Sequence, residues 1–295
     1  MTRLDPGRIG VWGHLDSLAA ADARAYTRRV DELGFGVLWV PETVGREPFT
    51  FLGMLAAERT TLALGTSIVN IWGRDAQATR MGALTLAEAT GGRFVLGLGV
   101  SHPHLAGKLR GHAFERPLAR MREYLAAYRS AIYRGPTADV PEPPVLVAAL
   151  RERMTDLAAT DADGAFPYLV TPERVAWIRD RLDAAASGER PLLAVTLPVA
   201  LADASDREAA RAYLTPYLRT PTYQASWQLQ GFGEADWDPP GSDRLVDAMV
   251  ATGTAEMARG RLAELGAAGA DHVAIIPLAP DGGTEHLPTV EALAP

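Results

Sequence analysis

The chain has 295 residues, 47% hydrophobic and 22% charged, with a net charge of -7 and no cysteine. That length suffices for a large core and for a barrel of roughly 250 residues with an insertion. The missing cysteine excludes disulfides, thiolate metal sites, Fe–S clusters and a cysteine nucleophile, and the acidic balance opposes general nucleic-acid binding, which needs concentrated positive charge.

In chain order, Ile9–Trp12 reads as a short apolar strand, with Asp16 or Ser17 placed to cap a helix that runs to about Leu33. Val37–Val40 is a second strand with a polar stop at Glu42–Thr43, and Phe49–Arg59 reads as a helix. Leu62–Ser67 is strand three and Ala76–Ala89 its helix. Phe94–Leu98 is strand four, followed by a long helix near Glu115–Tyr133. Val145–Ala149 and Glu152–Thr160 form the fifth pair. Gly164–Pro167 is a weak sixth strand, and Thr171 caps a helix with Pro172 in its first turn. Leu192–Leu201 is strand seven, Arg207–Tyr217 a helix, and Val273–Ile276 strand eight.

Several of these strands are apolar throughout rather than alternating, the pattern of parallel strands covered by helices. Eight strands at this spacing, with no glycine-rich nucleotide loop after the first, predict an α/β fold, a closed (β/α)8 TIM barrel rather than a doubly wound sheet. Residues 1–295 are expected to form one barrel domain. Pro221–Asp243 breaks the rhythm. It carries Trp227, Phe232, Trp237 and the Pro239–Pro240 pair, and it is longer than ordinary connections. It reads as a lid or interface excursion between strands seven and eight, or else as a packed surface loop. No run approaches the roughly 20 apolar residues of a membrane span. MTRLDPGRIG lacks the apolar core of a signal peptide, so a cytoplasmic protein with no membrane partner is expected.

In such barrels the carboxyl ends of the strands carry the chemistry. Glu42, Thr43, Asn70, Trp72, Ser101 and His102 all fall just beyond strands, and Trp12 and His14 hold the equivalent place after strand one. Taken singly, Asn70 can close a turn and His102 can cap a helix or bond a carbonyl. His102 and His104 flank Pro103 without an H-E-x-x-H motif or a carboxylate fixed by spacing. Catalytic zinc needs about three protein ligands, so no metal is expected. Neither Ser67 nor Ser101 sits in a G-x-S-x-G elbow. Lys108, the only lysine, lies on an apparent loop and is a poor Schiff-base candidate. Gly91–Gly92 ends a helix. Gly97 and Gly99 make room for a close approach to the backbone or for tight barrel packing, without G-x-G-x-x-G spacing.

WVPET at 39–43, LGTSIVNIWGRDA at 64–76, GGRFVLGLGVSHP at 91–103, ATDADGAFPYLVTPE at 159–173 and GTAEMARGRLAELGAAGADHVAI at 253–275 carry a family resemblance over nearly the whole chain. The chain resembles the luciferase-like monooxygenase superfamily and, within it, the coenzyme F420-dependent oxidoreductases. That resemblance implies a (β/α)8 barrel with an excursion before its final strands, binding FMN or the deazaflavin F420 at the carboxyl rim. It implies a non-proline cis peptide at Ser67–Ile68, whose bulge supports one face of the ring. Cofactor contacts fall at Ser67, Ile68, Asn70, Gly99 and Ser101, and a phosphate site at Ala149, Leu150 and Arg151, where a helix start and an arginine suit an anion. The usual family glycines are missing from AALRERM.

Glu42 matches an acidic position near the deazaflavin ring. Thr43 falls where some F420 enzymes have histidine, and His102 where a sugar-phosphate-oxidising member uses a glutamate acid; both departures argue against that substrate. The implied activity is hydride transfer between F420 and a small organic substrate. His102 and Glu42 are the catalytic candidates, His102 because an unperturbed pKa near 6.5 permits donation or acceptance of a proton. Trp12, His14, Trp72 and Trp227 are expected in the substrate pocket. The alternatives are an FMN-dependent monooxygenase using reduced flavin and oxygen, and a non-catalytic ligand-binding barrel. Members of the family are often dimers, so a homodimer is a further expectation.

Overall fold

The computed structural model describes residues 7–58, 60–136, 140–201, 206–280 and 283–295. The strands are β1 (Ile9–Trp12), β2 (Val37–Val40), β3 (Ala63–Thr66), β4 (Val69–Asn70), β5 (Phe94–Gly99), β6 (Val145–Val147), β7 (Gly164–Ala165), β8 (Leu192–Leu201), β9 (Ala251–Gly253) and β10 (His272–Pro277). Every pairing is parallel, and β10 joins both β8 and β1, so the sheet closes. β4 resumes β3 beyond the Ser67–Ile68 cis bond and pairs β5, while β9 pairs the far end of β8. The other eight strands form the closed ring of the expected TIM barrel.

Burial explains why these strands lack alternation. All four residues of β2 and all six of β5 are buried, because one face meets the surrounding helices and the other the barrel interior. Leu38, Val40, Leu64, Leu96, Leu98, Val147 and Val195 belong to the cluster shared with the helices. Trp39, Ala63, Val95, Leu146, Ala194, Ala274 and Ile276 meet in the other cluster. Trp39 fills much of that space because Gly65 leaves room: a Cβ there would stand 2.4 Å from the indole. The indole packs edge-on against Phe166, with centroids 4.7 Å apart. It donates from Nε1 to Nε2 of buried His272 at 2.9 Å. His272 Nδ1 lies 2.8 Å from the Gly7 carbonyl, so that nitrogen carries the proton and the ring is neutral.

The helices begin with α1 (Ala20–Glu32), α2 (Pro48–Ala56), α3 (Ala76–Ala89), α4 (Pro117–Ser130), α5 (Glu152–Asp161) and α6 (Pro172–Ala185). Thr171 caps α6 as expected, accepting the Arg174 N–H at 3.3 Å, with Pro172 in the first turn. The cap expected for the first helix is corrected. α1 starts at Ala20 with Ala19 at its N-cap and no side-chain cap. Asp16 and Ser17 lie in a short 3-10 turn instead. Asp16 accepts from Arg46 N–H and Thr43, and Ser17 donates to Glu285, so both side chains are engaged by other loops. The helix expected over Phe49–Arg59 ends by Ala56; Arg59 lies outside the described residues.

The stretch before the last barrel strand is helical. It contains α7 (Asp206–Leu218), α8 (Pro221–Gln228), α9 (Glu234–Trp237), α10 (Asp243–Met249) and, after β9, α11 (Ala255–Ala267). α12 (Leu287–Ala292) ends the chain's regular structure. Trp227 and Phe232 are buried in the cluster that also holds the barrel interior. The expected excursion is therefore a packed helical unit. Among the described residues no helix is long and apolar enough to cross a membrane.

Candidate active site

The carboxyl ends of β3, β5, β6 and β7 surround a cavity of about 150 Å³. Ile68, Gly99, Ser101, His102, Leu150 and Arg151, all expected at the site, line it together with Val100, Ala148, Met154, Phe166 and Tyr168. Thr222 and Tyr223 reach it from the first turn of α8. The Ser67–Ile68 peptide is cis. Gly99 lets Ile68 lie flat on the rim, since a Cβ at Gly99 would stand 2.4 Å from Ile68 Cδ1.

Several expected residues lie outside the lining and brace it. Trp12 donates from Nε1 to the Ser67 carbonyl at 3.0 Å. Trp72 donates from Nε1 to the Val100 carbonyl at 2.8 Å, and its ring rests on His112 and Phe114. Asn70 is spent on neighbours: its Oδ1 accepts the Trp72 N–H, and its Nδ2 donates to Glu42 at 2.6 Å. Ala149 is fully buried behind the wall, and Ser67 contributes a carbonyl rather than its side chain. Trp227 is corrected as a pocket residue. It is fully buried one turn below Tyr223, with ring centroids 6.0 Å apart, and it does not line the cavity.

Glu42 is the hub of a charge network rather than a free acid. Its side chain is 5% exposed. It accepts from the Asn70 N–H at 2.7 Å, Asn70 Nδ2, Arg74 Nη2 at 2.8 Å and Arg110 Nη2 at 3.1 Å. Arg110 closes the π-helical turn Leu105–Leu109 that follows His102. Glu42 therefore pins the loop after β5 to the ends of β2 and β4.

His102 is placed differently. Its Nδ1 is buried and has no hydrogen-bond partner among the described residues. The ring lies between His104, stacked at 5.9 Å, and Tyr223, tilted at 5.4 Å. Burial, and then the charge of His104, push its pKa below 6.5, so the imidazole is neutral at pH 7 and its surroundings oppose the charged form. Ser101 just before it takes the left-handed conformation, φ 58°, a position that few non-glycine residues adopt. Tyr168 bonds the hydroxyls of Tyr213 and Tyr217, the latter at 3.1 Å. Burial pushes Tyr168 and Tyr213 well above the usual phenol range, so they stay protonated and form a fixed aromatic wall.

Among the described residues no carboxylate lines the cavity, although the chain is acidic overall. Arg151 is its cation, exposed and at the N-cap of α5, where no side chain caps the free N–H groups. Apolar Ile68, Gly99 and Ala148, the rings of Phe166, Tyr168 and Tyr223, and an arginine beside open helix N–H groups line one cavity, a set that fits a planar ring carrying an anionic tail. Among the described residues no group of three or more histidine, aspartate or glutamate side chains is placed to hold a metal ion. Sequence reasoning missed Phe166, Tyr168, Thr222 and Tyr223 in the wall, and Arg74 and Arg110 on Glu42. Only Tyr223 had a usable signal, as the aromatic nearest the start of the excursion.

Residues 2–272 match the luciferase-like monooxygenase family. A Mycobacterium tuberculosis protein, provisionally described as a coenzyme F420-dependent oxidoreductase, is 28% identical over 253 residues, covering 72% of this chain and 70% of its own. Among solved structures, an F420-dependent secondary alcohol dehydrogenase in complex with an F420–acetone adduct superposes with a TM-score of 0.76 at 11% identity, covering 98% of this chain and 97% of its own. The oxygenating constituent of 3,6-diketocamphane monooxygenase from Pseudomonas putida, in complex with FMN, superposes at 0.71 and 14% identity, covering 98% and 96%. At these identities the two structures establish a shared fold.

Proposed function

The chain belongs to the luciferase-like monooxygenase family, and on that footing we propose that it is an F420-dependent oxidoreductase moving a hydride between the deazaflavin and a small organic substrate. The observation that carries the reading is the cavity itself, with apolar Ile68, Gly99 and Ala148 in its lining, no carboxylate among its described lining residues, and Arg151 beside the open N-terminus of α5. The relative described as an F420-dependent oxidoreductase supports the choice of cofactor.

When bound, a deazaflavin supplies a carbon that gives or takes a hydride; the protein supplies position, dryness and proton transfer. Ile68 and Gly99 support one ring face. Arg151 and the first N–H groups of α5 take the anionic tail. Tyr223, Thr222 and Phe166 close the opposite side and exclude water. His102, neutral and with Nδ1 unengaged, orients the reacting oxygen or exchanges its proton. Glu42 acts through the loop it clamps.

A second reading, an FMN-dependent monooxygenase using reduced flavin and oxygen, is favoured by the likeness of fold to the FMN-bound structure. Titrating the purified protein with F420 and with FMN, followed by fluorescence, tests both. Tighter F420 binding, together with reduction of F420 by a secondary alcohol such as 2-propanol, is expected. Oxygen-dependent product from reduced FMN without F420 binding would replace the first reading with the second. No binding of either cofactor would favour a ligand-binding barrel.

A further inference from the structure

On the side of β1, His14 is held by Asp16 and Thr43, at 2.9 Å each, and does not line the cavity, which corrects its expected place in the pocket. The loop after β6 does line it, through Ala148, Leu150 and Arg151. An arginine of α6 holds that loop. Arg174 is 7% exposed, and its Nη2 donates to the Leu150 carbonyl at 2.8 Å. The guanidinium lies over the Trp177 ring, 3.8 Å from its centroid, and the buried Nε has no hydrogen-bond partner among the described residues.

Stability does not call for a cation at this place. Arg174 is in the first turn of α6, where the helix dipole opposes positive charge. Burial opposes it too and lowers its pKa from the usual arginine range, yet the group is still a cation at pH 7. Glu152 and Glu173 line the same hollow beside Trp177, of about 550 Å³. Glu152 pairs instead with Arg181 at 2.8 Å, and among the described residues no carboxylate comes within ion-pair distance of Arg174.

The Leu150 carbonyl is the informative partner. The Leu150–Arg151 peptide is trans and planar, with its C=O and N–H pointing opposite ways. A carbonyl aimed at Arg174 turns the Arg151 N–H away from Arg174, and that N–H has no hydrogen-bond partner among the described residues. Arg151 is also the N-cap of α5, and its carbonyl accepts the Met154 and Thr155 N–H groups at 3.1 and 3.0 Å. The start of α6 is fixed in turn, since Gln230 Oε1 accepts the Thr171 N–H at 2.8 Å. Arg174 therefore transmits the position of α6 to the residue that is the cavity's cation.

We propose that Arg174 is a positioning residue whose bond to the Leu150 carbonyl sets the Leu150–Arg151 peptide, so that the Arg151 N–H and the start of α5 receive the anionic tail of the cofactor. The proposal rests on the F420-dependent reading above. Arg174 lies outside the cavity lining and acts through Leu150.

The test compares two ligands by fluorescence titration of the full chain: F420, and the deazaflavin nucleoside that lacks the phosphate-bearing tail. Arg174→Met is expected to weaken F420 on the order of tenfold, about the contribution of one N–H bonded to an anion, and to leave the nucleoside within about twofold. Its Tm is expected at or above the native value, because a buried charge without a carboxylate gives way to an apolar chain of similar length. Arg174→Lys keeps a cation and a donor, and it is expected to recover part of the F420 affinity. Arg174→Gln is too short to reach the Leu150 carbonyl. It is expected to bind as Arg174→Met does, and it decides the matter if Arg174→Met does not fold. Native F420 affinity in either variant overturns the proposal. Equal loss of F420 and nucleoside, or failure of both variants to fold, assigns Arg174 to the fold alone and also overturns it. A native chain that binds no F420 removes the functional reading and the proposal together.

Discussion

Replacing Glu42 separates a structural clamp from a proton donor. Its side chain is 5% exposed and receives two donors from Asn70, two from Arg74 and one from Arg110. Glu42→Ala leaves Arg74 and Arg110 facing each other across a buried gap. Breaking a buried pair from one side costs about 3–5 kcal/mol. Arg74 keeps Glu47 at 2.9 Å, and Arg110 is 26% exposed, so water and a second carboxylate offset part of the loss. The lower end, about 3 kcal/mol, is expected, which lowers Tm by roughly 6–12 °C at about 2–4 °C per kcal/mol. Glu42→Gln still accepts from Asn70 but loses the charge, and about 1–2 kcal/mol is expected by the difference between charged and neutral hydrogen bonds. A lost proton donor costs about 100-fold or more in turnover; a clamp assayed well below Tm costs about tenfold or less. Differential scanning calorimetry and single-turnover F420 reduction read the two outcomes. Glu42→Gln with native Tm and turnover down by about 100-fold would refute the clamp and return Glu42 to acid catalysis.

The remaining predictions address other parts of the rim and core. The His102 pKa is lowered from 6.5, so below pH 6.5 the unfolded chain binds a proton that the folded chain resists. The His102 contribution to stability is complete above 6.5 and is lost as pH falls through that region; urea unfolding at pH 5, 6 and 7 should show a slope that His102→Asn flattens. Trp39→Phe removes the donor to His272 Nε2, at a cost of about 0.5–1.5 kcal/mol for the lost hydrogen bond, measured by urea denaturation. An unchanged midpoint would mean that the bond contributes nothing. Gly97→Ala drives a Cβ to 2.1 Å from the Thr66 carbonyl oxygen, whereas Gly99→Ala meets the end of the Ile68 side chain. Gly97→Ala should therefore lose the more stability, and Gly99→Ala should chiefly weaken F420 binding by tilting the shelf.

The sequence shows the barrel because its strongest signal is local. Runs such as Phe94–Leu98 are apolar at every position, and Thr171–Pro172 announces the start of a helix without reference to distant residues. The site is less legible because its connections are long-range. Glu42 reads as a rim acid, yet Arg74 and Arg110 reach it from 32 and 68 residues away, and no spacing rule links them. Asp16 and Ser17 have the composition of a helix cap, but Thr43, Arg46 and Glu285 engage them first. Trp227 and Tyr223 share one face of α8, four residues apart. Only the depth at which that helix docks decides which ring meets the cavity and which is sealed beneath it.

The two sides of the rim are held by different forces. On the side of β1, β2 and β4, charge-assisted bonds through Asp16 and Glu42 fix the loops, and such bonds are directional and short. On the side of β5 and α8, His102 and Tyr223 meet ring to ring, and His102 Nδ1 bonds nothing among the described residues. Aromatic contacts are worth about 0.5–1.5 kcal/mol beyond burial and tolerate several arrangements. The cavity between them measures about 150 Å³. The shelf that must hold a ring in register is braced by the Trp12 indole on the Ser67 carbonyl, 3.0 Å away.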